Sequence, residues 1–293
     1  MMFSALTVAI AITATTASAA PVSLPARTTS ALALRSGGFG KPTKSALALR
    51  GGGVTNDQLS NTLAGVLIAS GLQGWYAPKE QMKMYAPGVK LSDEEVFFLR
   101  ALQGLNVVQG LTMMAAAESG LSAATIVCLF GQAMSTTANI GLLEKLEVKT
   151  GPIVSCIALF GTLGELARRG IITSDLASNI NNFMLLASVG EILKPEPIIK
   201  AFLGKREPSA LSKSLLQNFS WTKFNTGLFL LISKRTGKRG LGLAAATASN
   251  TLNVIATMRR SDEIGVKKAG LIFWAVVSGA FSLLAFKNEK DQA

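Results

Sequence analysis

From residue 60 onward the apolar residues come in long continuous runs separated by short charged segments, with no strict alternation. Such runs predict helices, because a half-buried strand would alternate apolar with polar. The pattern predicts eight, at 60–77, 96–117, 121–143, 152–167, 176–193, 214–233, 241–258 and 266–286. Most approach the ~20 residues that carry a helix across a bilayer. Ser92-Asp93-Glu94-Glu95 supplies an N-cap and an acidic first turn to the second run. Gly151-Pro152 breaks the chain before the fourth, and Trp75-Tyr76 closes the first, where amphipathic aromatics favour the headgroup zone.

The pattern also recurs. Residues 131–151, GQAMSTTANIGLLEKLEVKTG, come back in diverged form 114 positions later. Ser135, Thr137 and Asn139 fall on Ser249, Thr251 and Asn253, and Gly151 falls on Gly265. Leu67, Ala69 and Ser70 echo Leu185, Ala187 and Ser188, while Leu102-Gln103 matches Leu216-Gln217. The expected fold class is therefore all-α: a polytopic membrane protein of about eight transmembrane helices in two parallel four-helix repeats, 57–170 and 171–293. An even number of spans per copy inserts both copies in the same orientation.

Composition sharpens this picture. Charged residues make up 16% of the 293 and hydrophobic ones 49%, with mean hydropathy +0.39; a soluble domain carries about 25% charged residues. The net charge is +12. Past residue 56 the Lys and Arg stand mainly between apolar runs, as membrane flanks do. No basic stripe interleaves with aromatics as a nucleic-acid interface requires. The expected partners are membrane lipids and other membrane complexes, photosynthetic ones among them, and no nucleic acid. The absence of histidine removes His-ligated metal or haem and His general bases, and leaves any cofactor unknown. Cys128 and Cys156 form no CxxC and are expected as small buried core residues.

Ahead of the helices, residues 1–19 read as a signal peptide, with an apolar stretch at 3–12 and small residues Thr16-Ala17-Ser18-Ala19. Residues 20–56 read as a transit-like disordered segment, basic, free of acid and rich in Ser and Ala, with SALALR at 30–35 and 45–50. This arrangement resembles the bipartite presequence of secondary red-lineage plastids. Ala17-Ser18-Ala19-Ala20-Pro21 is similar to the motif at its cleavage junction, with Ala20 where that motif prefers an aromatic. The resemblance implies a plastid membrane, thylakoid or envelope; an endoplasmic reticulum or Golgi membrane is the alternative.

Polar residues inside the apolar runs are the candidate chemistry. Glu165 is ionisable within the fourth run and marks either a solute path or, with Arg168 and Arg169 three and four residues on, a helix-end ion pair. Ser135, Asn139, Ser249 and Asn253, with Thr137 and Asn250, either pack the third and seventh helices together or line a symmetric polar pocket. Arg100, Gln103, Asn106 and Gln109 form one stripe at spacing three. Gln217, Ser220, Lys223 and Asn225 occupy the matching run. Both stripes must face protein or water rather than lipid. The ligand or ion path expected from these patterns comprises Glu165, Asn139, Asn253, Ser135, Ser249, Gln103 and Lys223. Asn218-Phe219-Ser220 fits a glycosylation acceptor but sits at the start of a run. No Walker loop, dinucleotide fingerprint or carboxylate cluster occurs, so no catalytic or metal-ligating residue is assigned.

The first unit, with Trp75-Tyr76-Ala77-Pro78 through Tyr85 in its first loop, then Glu95 and Arg100, is similar to small DoxX-like four-helix membrane proteins over residues 60–169. That resemblance implies a fold rather than an activity. Three functions fit: a structural or accessory membrane protein acting through helix contacts, a transporter with a polar path between the repeats, and, least supported by the residue inventory, a membrane enzyme. An antenna role fits poorly with the lack of histidine.

Overall fold

A computed structural model of the chain describes residues 54–148, 150–203 and 207–291, and all regular structure among them is α-helical. The all-α expectation is met. The signal peptide and nearly all of the transit-like segment lie outside the described residues. The helices are α1 (Asn56–Tyr76), α2 (Pro78–Tyr85), α3 (Asp93–Ser119), α4 (Leu121–Thr137), α5 (Ile140–Lys145), α6 (Gly151–Arg168), α7 (Ser174–Leu186), α8 (Val189–Leu193), α9 (Pro195–Leu203), α10 (Ala210–Thr236), α11 (Arg239–Arg259) and α12 (Lys268–Asp291).

Local chemistry sets the bounds. The hydroxyl of Thr55 accepts from Gln58 N (3.2 Å) while Gln58 Oε1 accepts from Thr55 N (2.9 Å), a capping box that starts α1 at Asn56, inside the segment expected to be unstructured. Ser92 and Glu95 form the same box at α3. Pro78 opens α2, and Pro152 sits in the first turn of α6. Gly120 ends α3 at φ 87° and ψ 176°, a backbone region open essentially to glycine.

Each of the eight expected runs becomes helix, with two differences. The third is interrupted between Thr137 and Ile140, and the fifth between Leu186 and Val189. Only two helical stretches among the described residues, Leu121–Leu142 and Lys268–Asp291, are long and apolar enough to cross a membrane by length and composition. The count of eight spans is not reproduced, and the reason is compositional. Helix α3 opens with Asp93, Glu94 and Glu95 and carries Arg100, α10 carries Lys213, Lys223 and Lys234, α6 ends in Glu165 and Arg168, and α7 has 13 residues.

The packing is ordered around a central pair. Helix α3 lies against α10. Helices α1 and α4 flank α3, and α6 packs on α4; α7 and α8 flank α10 with α11, and α12 packs on α11. Across the middle, α7 meets α4 and α6, while α1 meets α11 and α12. Boundaries recur as well as neighbours. The caps Ser92 and Ser209 stand 117 positions apart, as do the helix-ending glycines Gly120 and Gly237, and α3 and α10 are both 27 residues long. Pro78 and Pro195 begin the short helices α2 and α9 at the same interval. The interval of 114 read from Leu102-Gln103 is therefore displaced by about one helical turn from the one these bounds follow.

Two apolar clusters form the core. One gathers Leu59, Met113, Cys128, Phe229, Leu243 and Ala285, where α1, α4 and α11 begin. The other gathers Phe98, Leu146, Ile153, Ile199, Leu211 and Ile264 near the opposite ends. Cys128 is buried as expected, whereas Cys156 on α6 is exposed.

Candidate functional site

Between the two clusters lies a cavity of about 260 Å3, bounded by α1, α2, α3, α10, α11 and α12. Helical spacing builds its polar wall. Gln103, Asn106 and Gln109 follow one another at three-residue intervals on α3 and line it together. Helix α10 adds Ser214, Asn218 and Thr222; helix α11 adds Thr247, Asn250, Asn253 and Thr257. From α1, α2 and α12 come mainly Leu63, Leu67, Met82, Leu271 and Val277, with Gln81, Tyr85 and Trp274 among them. None of the described lining residues is charged.

Hydrogen bonds tie the polar wall across helices. Asn218 Oδ1 accepts from Asn253 Nδ2 (2.8 Å) and Thr257 Oγ1 (3.4 Å), joining α10 to α11. Thr222 Oγ1 lies 3.5 Å from Asn106 Oδ1, and Asn106 Nδ2 donates to Gln103 Oε1 at 3.1 Å. Glycines on α1 make room for two glutamine side chains and for the α3 backbone. A Cβ at Gly74 would run into Gln81 and Gln103, and one at Gly71 would come within 2.7 Å of the Gln103 carbonyl oxygen. Gln81 Nε2 reaches the Ser70 carbonyl at 3.0 Å, while its Oε1 is buried without a partner.

Of the residues expected on a path, Gln103 and Asn253 line this cavity and the others do not. Ser249 is buried on α11 with an unpartnered hydroxyl, outside the lining. Ser135 lies against Gly104 and the Trp75 ring, and Asn139 donates to the Ser135 carbonyl (3.0 Å) where α4 ends. The symmetric pocket of paired Ser and Asn residues is thus not assembled. Arg100 leaves the stripe of its neighbours and stands 5.7 Å from the Trp75 ring centroid. Glu165 sits in the last turn of α6, bonded to Arg168 Nε and Nη2 (both 2.7 Å) and to Arg169 Nε. This is the helix-end ion pair of the two readings.

Lys223 has a partner that sequence reasoning missed. Its Nζ lies 2.9 Å from both carboxylate oxygens of Glu191, and Ser220 Oγ donates to the same carboxylate at 2.6 Å. The signal was a lone acid inside the fifth apolar run, 32 residues before its lysine. Asn218 was also missed. The pattern around it reads as a glycosylation acceptor, yet the side chain is held inside the bundle.

A second hollow, about 530 Å3, opens between the start of α4, the start of α7 and the α10–α11 junction. Its charges are already matched. Lys234 pairs with Asp175 at 3.0 Å, and Arg239 pairs with Asp57 at 3.0 Å and caps the Ala116 and Ala117 carbonyls of α3. Among the described residues no group of three or more His, Cys, Asp or Glu side chains is placed to hold a metal ion. The chemistry available at the central cavity is uncharged hydrogen bonding beside an apolar wall. Compared with protein-family models, curated proteins and solved structures, the chain finds no match in any of the three.

Proposed function

We propose that the chain is an integral membrane protein made of two copies of one helical unit, and that it holds and passes a neutral small molecule through the cavity between α1–α3 and α10–α12. The observation that carries this reading is the cavity itself: seven amide side chains, none charged, line one partly open hollow. Ligand sites combine mostly apolar walls with a few converging polar groups in this way.

The distribution of polarity supports the membrane. Among the described residues, Gln103, Gln109, Gln132, Asn181, Asn182 and Asn225 are buried, whereas Phe183, Leu252, Val276 and Leu283 are each more than 60% exposed. Water would favour the reverse arrangement; a lipid surround favours this one. Helix α12 buries little besides Ser278 and Ala285. The recurrence of bounds and neighbours at 117 positions supports the two-copy reading, with α3 and α10 as equivalent central helices. A purely accessory role through helix contacts accounts for the small residues of α4 and α11 but not for the cavity. The plastid is the compartment that residues 1–53 support, and a C-terminal fluorescent fusion of the full chain locates it.

Two measurements test the function. The chain should stay with membranes through alkaline carbonate extraction; its release would remove the membrane reading. In a background lacking Cys128 and Cys156, Asn250→Cys should react with N-ethylmaleimide while Ser249→Cys, one residue away on another face, should not. Equal protection of both positions would show that the cavity is closed to small molecules.

A further inference from the structure

We propose that the molecule held in this cavity is a planar nitrogen heterocycle of nucleobase size, with N–H and carbonyl or ring-nitrogen groups along one edge, and that Gln109 and Asn250 read that edge. The inference rests on the reading of the cavity as a solute site and names its substrate class.

Volume sets an upper limit. A cavity of about 150 Å3 accepts one benzene ring. At about 260 Å3 this one takes a molecule of about ten non-hydrogen atoms. Charge sets a second limit. No described lining residue is charged, so a phosphate, carboxylate or ammonium taken out of water would find no counter-ion. A nucleobase meets both limits, and its nucleotide meets neither.

Two amides are free to bind. Gln109 and Asn250 line the cavity, neither side chain hydrogen-bonds to a described residue, and neither amide is sealed away from open space. The other amides of the wall are engaged: Asn218 with Asn253 and Thr257, Gln103 with Asn106, and Gln81 with the Ser70 carbonyl. Register brings the two free ones together. Thr222 of α10 meets Asn106 of α3, and Asn218 of α10 meets Asn253 of α11. Gln109 lies three residues beyond Asn106, and Asn250 three residues before Asn253 on a helix that runs back along α10. Both therefore stand within about one helical turn of Thr222.

An amide offers a donor and an acceptor in one plane. A ring edge with an N–H beside a carbonyl or ring nitrogen returns the same pair, as adenine does when an Asn or Gln reads it in DNA. The opposite wall separates this class from other neutral solutes. From α1 and α12 it presents Leu63, Leu67, Leu271 and Val277 with the Trp274 ring. A polyol carries hydroxyls on all sides, and those turned to the leucines would be buried unpaired. An aromatic hydrocarbon would leave the amides unpaired instead. A flat heterocycle keeps its polar atoms on the rim and offers apolar faces for the leucines and Trp274 to cover.

The test uses the full chain purified into phosphatidylcholine nanodiscs and equilibrium dialysis with radiolabelled adenine, uracil, xylitol and indole. The expected result is saturable binding of adenine or uracil, with xylitol and indole at least tenfold weaker. Gln109→Leu with Asn250→Leu should weaken base binding at least tenfold at an unchanged melting temperature, since neither amide is tied to the fold. Ser249→Ala, outside the lining, should leave binding as it is. Xylitol or indole bound as tightly as the bases overturns the heterocycle class and leaves the solute reading standing. The same follows if no probe binds while Asn250→Cys reacts with N-ethylmaleimide. Base binding that survives the double substitution overturns the roles of Gln109 and Asn250. If none of the four binds and Asn250→Cys resists the maleimide, both readings fall.

Discussion

Gly120 has space around it, with no atom within 4 Å of where a Cβ would stand, so its constraint is conformational. At φ 87° and ψ 176° any side chain is strained by about 1–3 kcal/mol. Gly120→Ala should lower the thermal midpoint accordingly. Gly141→Ala, in α5 with equally free space and no positive φ, should leave it unchanged or raise it by up to about 1 kcal/mol of stability. If both substitutions behave alike, the turn between α3 and α4 is not built as described. Single residues were unevenly legible in the sequence. Gln103, Asn106 and Gln109 could be read as one wall because helical spacing alone puts them on a line. Asn218 could not, since its use depends on which helix α10 faces. Gly71 and Gly74 carry no chemistry of their own: Gly74 leaves space for the Gln81 and Gln103 side chains, and Gly71 lets the α3 backbone and Val107 come close.

Elements were more legible than residues, because continuous apolar runs make helices whatever their partners. The interruptions after Thr137 and Leu186 left no such trace: neither contains a proline, and small residues there continue a helical pattern as readily as they end one. Tertiary ties replace local signals at these points. Glu191 in α8 reaches Lys223 of α10, and Ser188, just before α8, donates to the Ser220 carbonyl at 3.0 Å. The pair is part-buried, with side chains 25% and 17% exposed. Removing one partner strands the other, so Lys223→Met should cost on the order of 3 kcal/mol. Lys223→Met with Glu191→Leu should recover most of that loss. A double-mutant cycle on melting midpoints reads the coupling directly, and purely additive losses would show that the pair does not hold α8 to α10.

Among the described residues, buried amides and hydroxyls and exposed apolar side chains stand beside an apolar core, and composition hinted at this through 16% charge and mean hydropathy +0.39. Which faces carry which could not be read from one chain, since an inward amide and an outward one look alike until the neighbours are placed. The same holds for the two halves. Several of their helix bounds match at an interval of 117, but their inner surfaces differ. Positions 117 before Ser214, Asn218 and Thr222 hold Phe97, Ala101 and Leu105. On that side of the α3–α10 pair, Phe97, Phe98, Ile153, Ile199 and Phe219 form solid apolar packing. The α10 part of the cavity's polar wall thus has no polar counterpart one interval earlier on α3. Titration of the purified chain should therefore saturate at a single equivalent of ligand along a hyperbolic isotherm, with no cooperativity inside one polypeptide. Any sigmoidal response would have to arise between chains.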